Sequence, residues 1–235
     1  MGTCNIADLA VSFNVPKFVM ISTDKAVNPT NIMGATKRIA EIYCQSLNDN
    51  NEHTRFITTR FGNVLGSNGS VIPRFKKQIE LGQPITVTDP KVTRFFMTIP
   101  EACQLVLEAG AMGVGGEIFI FDMGESVNIA ELAKKMIRLS GLELGKDIQI
   151  VYTGLRPGEK LYEELLANEE NTLPTHHKKI MIAKVKKYNF DSITKDIKEL
   201  IDLFSSQDNE KIVVKMKEIV PEFKSQNSIY QKLDH

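Results

Sequence analysis

Cysteine is scarce in this chain of 235 residues. Cys4, Cys44 and Cys103 are odd in number and far apart, which fits a reducing cytosol better than a disulfide framework. No CxxC pair or His/Cys cluster occurs, so no metal site is expected; His176 and His177 lie in a polar stretch that reads as a solvated loop. An excess of one charge is also missing. Lys and Arg number 29 together, as do Asp and Glu, which argues against a general nucleic-acid binder. Residues 1–20 lack the basic start and apolar run of a signal peptide. No stretch approaches the ~18 apolar residues of a membrane span. The chain itself is therefore expected to be soluble and cytoplasmic, without membrane contact. One more absence bears on function. A dinucleotide-binding fold opens with a strand, a GxGxxG or GxxGxxG turn and a helix, with an acidic residue about 20 positions on. Nothing here fits. The glycines of GVGGEIFIF (113–121) precede a strand rather than follow one, and read as a loop. The chain reads as if it begins halfway through a doubly wound fold.

What is present is ordinary globular protein, with 42% hydrophobic and 25% charged residues. TCNIADLAVSF (3–13) has helical spacing, and KFVMIS (17–22) is a short apolar run without alternation, as in a strand buried on both faces. A turn-rich break, AVNPTN, leads to a helical pattern from Ile32 to about Asn48, capped by Asn31 or Thr30. TRFITTRF (54–61) closes a βαβ unit, whose strands are expected to be parallel. After Phe61 come a Gly/Ser/Asn-rich loop and a helix at about 72–81. PITVTDP reads as a strand, IPEACQLVLEAGAM as a helix, GEIFIFDMG as a strand, 128–140 as a helix capped by Asn128, and IQIVYTG as a strand. From about 188, two lysine-rich amphipathic patterns read as helices packed on a domain, their charged faces solvated.

KFVMISTDKA places Ser22, Thr23, Asp24 and Lys25 at the carboxyl end of a strand, where open α/β sheets bind ligands. A hydroxyl, a carboxylate and an amine in succession can bind a substrate hydroxyl and serve as acid and base. Taken alone, such a triplet is more often a turn. Met33 and Lys37 share one helix face, and a lone methionine there is usually core filler. Specificity comes from their order after a buried strand, and from four longer stretches. These are ISTDKAVNPTNIMGATKR (21–38), TTRFGNVLGSNGSVIPRF (58–75), ITVTDPKVTRFFMTIPEA (85–102) and LRPGEKLYEELL (155–166). They closely resemble the extended short-chain dehydrogenase/reductase superfamily. Within it they resemble the CapD-like nucleotide-sugar 4,6-dehydratases of capsule and surface-polysaccharide biosynthesis, which act on UDP-N-acetylglucosamine. The resemblance spans roughly residues 1–185.

That resemblance carries several implications. Met33 occupies the tyrosine place of the YxxxK pattern, as in the family's membrane-anchored relatives, which sit at the inner face of the cytoplasmic membrane. The chain would be a C-terminal fragment of such a protein, inactive by itself. The fold would be α/β: the C-terminal half of a Rossmann-like doubly wound parallel sheet, plus a small α/β substrate-binding domain. Residues 1–65 would belong to the NAD-binding domain, 66–187 to an interleaved UDP-sugar region and 188–235 to a helical tail. The implied reaction is an NAD-dependent internal redox elimination. Oxidation at C4 acidifies the C5 proton, the C6 hydroxyl leaves as water, and hydride returns to C6. The product would be a UDP-4-keto-6-deoxy-N-acetylhexosamine. Thr23 would bind the C4 oxygen, Asp24 would protonate the leaving hydroxyl and Lys25 would take the C5 proton. Met33 has no proton to exchange. Ser22, Lys37 and Phe61 would meet NAD, Lys37 at the nicotinamide ribose. Asn63 would touch the sugar-diphosphate region, and Arg94 and Arg156 the pyrophosphate, which a guanidinium fork suits. Arg74 and Glu159 would serve the nucleotide end and the ribose. Self-association into a homo-oligomer is a further expected partnership. Two other readings stand beside this one: a UDP-sugar 4-epimerase of the same superfamily and a non-catalytic UDP-sugar-binding remnant.

Overall fold

β-Branched and aromatic residues fill KFVMI and RFITTR, and both segments are strands in the computed structural model, which describes residues 1–166 and 171–234. Helix α1 (Gly2–Ser12) leads into β1 (Lys17–Ile21), and α2 (Ile32–Asp49) carries the chain to β2 (Arg55–Arg60). β1 and β2 are parallel, Lys17 opposite Arg55 and Ile21 opposite Thr59. The Asn31 side chain caps α2, accepting the Gly34 N–H at 2.8 Å. The chain then leaves the sheet for β3 (Asn63–Val64), α3 (Val71–Glu80), β4 (Ile85–Val87), β5 (Thr93–Arg94) and β6 (Phe96–Met97). It returns through α4 (Ile99–Met112) to β7 (Ile118–Phe121) and departs again for β8 (Val127–Asn128), α5 (Ile129–Leu139) and β9 (Ile150–Tyr152). Strands β10 (Asn171–Pro174) and β11 (Ile180–Lys184) precede helices α6 (Phe190–Leu203) and α7 (Asn209–Ile219).

The main sheet has the order β1-β2-β7-β11-β10. Its first three strands are parallel, and the last two run antiparallel. This hairpin adds antiparallel pairing at one end of the expected Rossmann-like parallel sheet. NTLP is polar and proline-ended and the His176–His177 turn reads as loop, so the sequence offers no clear strand period there. His176 sits 3.0 Å from Glu108.

Alternation along the strands sends neighbours to opposite layers. Met20 and Phe56 pack under α1, α2, α6 and α7. Ile57, Phe119 and Phe121 pack under α4, against Ala102, Leu105 and Ala109. The tail is no loose appendage: Ile193, Ile197, Leu200, Val213 and Met216 are buried in the same core as Ile42. Each such side chain contributes roughly 1.5–3 kcal/mol by leaving water. A smaller lobe packs α3 and α5 on β4 and β9 around Phe75, Ile85 and Ile137. The outer edge of β1 has no strand partner among the described residues; Ile21 of that strand is exposed, as are Ile6 and Leu9 of α1 and Phe13 after it. No helix among the described residues is long and apolar enough to cross a membrane.

Candidate active site

The loop after β1 is set by backbone pairing. Ser22 N–H donates to Thr59 O at 2.7 Å and Asp24 N–H to Phe61 O at 3.2 Å, continuing the β1–β2 ladder past the strand. A single 3-10 turn then covers Asp24–Ala26, with Thr23 Oγ1 accepting the Lys25 N–H. Glycine at 34 permits this packing, since a Cβ there would lie 2.2 Å from the Lys25 carbonyl oxygen. The turn buries Asp24 completely. Its Oδ1 accepts from Thr23 Oγ1 at 2.9 Å and from Lys25 Nζ at 2.8 Å. Its Oδ2 is buried without a hydrogen bond among the described residues. Lys25 Nζ also donates to Asn63 Oδ1 at 3.0 Å, and Glu163 Oε1 lies 3.8 Å away.

Lys25 opens on a cleft between the sheet and the small lobe. A cavity of about 570 Å³ is lined by Lys25, Asn63, Arg74, Arg94, Arg156 and Glu159 among others, a volume usual for small-molecule sites. A neighbouring cavity of about 300 Å³ adds Met33 and Glu163. The arginines differ in what they can offer. Arg94 is held from all sides: Nη2 by Glu159 at 3.0 Å, Nη1 by the Thr93 and Leu161 carbonyls, and Nε near Glu163 at 3.6 Å. Arg74 donates to Thr86 Oγ1. Arg156 is exposed, and its guanidinium has no partner among the described residues. Glu159 bonds Thr88 Oγ1 and the Arg156 N–H as well as Arg94, and so ties three segments together. Gly158, at φ +73°, lets that loop cross Thr30 and Asn31, both of which bond its carbonyl.

Other expected site residues stand elsewhere. Lys37 is exposed on the β1-edge side of α2, with Nζ 3.4 Å from Ile21 O. Met33 is half-exposed one turn earlier. The Ser22 hydroxyl is buried and donates to Glu41 Oε1 at 2.6 Å. The Phe61 ring stacks on Phe121 in the core, with centroids 5.4 Å apart. The amides of Val114 and Gly115 in the GVGG stretch donate to the Glu117 carboxylate, so this loop wraps its own acid.

Two features escaped the sequence. Glu41 is fully buried and bridged by Arg60, whose Nε and Nη2 donate to Oε1 and Oε2 at 2.8 and 2.6 Å. Arg38 adds a third bond at 3.2 Å and reaches Glu222 at 2.8 Å. Burial alone would push the Glu41 carboxyl up, but the Arg60 and Arg38 guanidinia outweigh it and hold it below the usual range. The available signal was Arg38 and Glu41 interleaved with the apolar Ile39 and Ile42, and an arginine inside a buried strand. Glu163 is the second. Burial pushes its carboxyl above the usual range; Lys25 opposes that and Asp24 reinforces it. Its only signal was the acidic pair in LYEELL.

Comparison with known proteins gives this arrangement its relatives. The model of the family described as polysaccharide biosynthesis protein matches residues 1–185. The capsular polysaccharide biosynthesis protein CapD of Staphylococcus aureus is 56% identical over 207 residues, covering 88% of this chain and 34% of CapD. A UDP-glucose 4-epimerase of Rickettsia canadensis is 39% identical, over 72% of this chain and 49% of its own. Among solved structures, Pen from Bacillus thuringiensis is 39% identical with a TM-score of 0.68, over 77% of this chain and 57% of Pen. The chain thus spans about a third to a half of the length of these curated relatives. It belongs to the polysaccharide biosynthesis protein family.

Proposed function

We propose that the chain carries the substrate cleft and the proton-transfer groups of a nucleotide-sugar 4,6-dehydratase of the short-chain dehydrogenase/reductase superfamily. Its substrate is UDP-N-acetylglucosamine and its cofactor NAD. One juxtaposition supports this most. The amine of Lys25, in 2.8 Å contact with the buried carboxylate of Asp24, opens on a cleft carrying Arg74, Arg94 and Arg156. Losing water across C5–C6 of a sugar needs a base for the C5 proton and an acid for the C6 hydroxyl. Lys25 takes the first role and Asp24 the second, and their contact lets the captured proton pass to the acid. Thr23, bonded to Asp24, holds the C4 oxygen, and Asn63 fixes Lys25 from the other side. Arg156, whose guanidinium has no partner among the described residues, meets the diphosphate; Arg74 and Glu159 face the nucleotide end. Arg94, already held by Glu159, contributes its field rather than open bonds.

Bound NAD supplies the hydride acceptor and donor for the C4 and C6 steps. The residues present fit one end of it: Lys37 is exposed and available to the nicotinamide ribose, beside a Met33 that cannot exchange protons. Ser22 and Phe61 support that end through the fold, since the hydroxyl is bonded to Glu41 and the ring lies in the core.

The Rickettsia relative favours a second reading, a 4-epimerase. Inversion at C4 needs no acid at C6, which would leave the buried Asp24 without a task. Product mass decides. The chain is incubated with UDP-N-acetylglucosamine and NAD. A product lighter by one water establishes the dehydratase; an isobaric product inverted at C4 establishes the epimerase. Thermal stabilisation by the nucleotide sugar without product leaves substrate binding, the outcome expected of a sequence without the phosphate-binding turn. No stabilisation and no product would sink the proposal for this polypeptide.

A further inference from the structure

Glu163 stands in none of the roles assigned above. Its side chain is 5% exposed and lies where two functions meet, with Oε1 3.8 Å from Lys25 Nζ and 3.6 Å from Arg94 Nε. Its Oε2 is buried and has no hydrogen bond among the described residues. A carboxylate that merely fastens a loop closes both oxygens, as Glu159 does on Thr88, Arg94 and the Arg156 amide. Glu163 instead leaves one oxygen open beside the cavity that holds Lys25, Met33 and Arg156.

We propose that Glu163 is a positioning residue that couples the phosphate end of the cleft to the base, Lys25. The coupling presupposes that the cleft takes a nucleotide sugar. The groups facing Glu163 are Asp24 and Lys25 from the loop after β1, Arg94 from β5, and Lys160 from its own loop, with Glu159 and Arg156 lining the same cavity. Without a ligand, the carboxylate sits between two cations. An arriving diphosphate brings negative charge to Arg94 and Arg156, and the Glu163 carboxylate takes a proton from solvent. Its O–H bond forms, and its charge is lost. Among the described residues Lys25 Nζ then faces one carboxylate charge, that of Asp24, instead of two. Burial already pushes the Glu163 carboxyl up, and Lys25 and Arg94 are the charges that restrain it.

The test uses isothermal titration of UDP-N-acetylglucosamine, whose diphosphate diester has no proton to lose near neutral pH. Wild type is expected to take up protons on binding, seen as a buffer-dependent heat, and to bind more weakly as pH rises. Glu163→Gln is expected to bind about threefold or more tightly at neutral pH, with that pH dependence gone, because one repelling charge has left the cleft. A loop merely unfastened would bind less well. Equal or weaker binding by the variant, or a retained pH dependence, would overturn the coupling. A second readout needs no ligand. The Glu163 carboxyl carbon, assigned by its loss in Glu163→Gln, is titrated by NMR in wild type and Lys25→Met. Removing the ammonium is expected to move its midpoint to higher pH, and an unmoved midpoint overturns the link to Lys25. If wild type binds no nucleotide sugar at all, the substrate reading falls, and the NMR titration alone decides the link between Glu163 and Lys25.

Discussion

Two ionic clusters flank the same strand–helix segment, and they are built in opposite ways. Around Glu41 every carboxylate oxygen is bonded: Arg60 grips both, Arg38 and Ser22 add one each, and Glu222 anchors Arg38 from the tail. Around Lys25 the bonding is incomplete, with Asp24 Oδ2 and Glu163 Oε2 both buried and unbonded among the described residues. The environments push the acids apart, Glu41 below the usual range and Glu163 above it. A buried charge that is fully met is fixed and costs much to disturb. A buried acid with an open oxygen is costly to keep, and is the arrangement expected where protons must move. One cluster holds the ends of β1 and β2 in place so that the other can stay unfinished.

The comparison breaks first at Arg60. Arg60→Met leaves Glu41 as a buried charge lacking its bidentate partner, with an expected loss of about 3–5 kcal/mol in urea unfolding. Asp24→Asn, at the other cluster, should change stability far less, and a loss as large as that of Arg60→Met would erase the distinction. Next comes Arg156→Ala. It removes charge-assisted bonds to the diphosphate, about 1.5–3 kcal/mol, and so should weaken UDP-N-acetylglucosamine binding roughly tenfold or more in calorimetry. Its urea midpoint should not move, because the guanidinium is exposed and has no partner among the described residues. Gly34→Ala sharpens the link between the clusters. The new Cβ would meet the Lys25 carbonyl, so the turn must shift at a cost of about 1–3 kcal/mol, with nucleotide-sugar binding weakened alongside.

The smallest effects are slopes with pH. Glu41 is depressed, so its stabilisation is present above the ordinary glutamate range near ~4.3 and is lost as pH falls through its lowered value. Glu163 is raised, so the native state keeps its proton longer than the unfolded chain. Stability therefore declines as pH rises from that ordinary range through the raised value. Urea midpoints across pH should show that decline in wild type and not in Glu163→Gln.

Much of the scaffold was legible because period and turn chemistry agree. β1, α2 and β2 follow from an apolar run, a capped helical stripe and a second run, and Asn31 and Asn128 cap their helices as read. The hairpin β10–β11 was not, because its pairing is long-range and its residues are half polar. Of the candidate site, motif order had grouped Lys25, Asn63, Arg74, Arg94, Arg156 and Glu159, and these six line one cavity. What no linear pattern reveals is who satisfies whom. That Arg94 is held by Glu159, that the Ser22 hydroxyl faces Glu41, and that Glu163 reaches Lys25 are all contacts between distant segments.

The most direct test of this division of labour watches the arginine side chains. In a spectrum of arginine Nε–Hε groups, UDP-N-acetylglucosamine is titrated into the labelled chain. The account predicts that the Arg74, Arg94 and Arg156 signals move with ligand while those of Arg38 and Arg60 stay in place. Movement of Arg60 and Arg38, or stillness of Arg156 at saturating ligand, would contradict it.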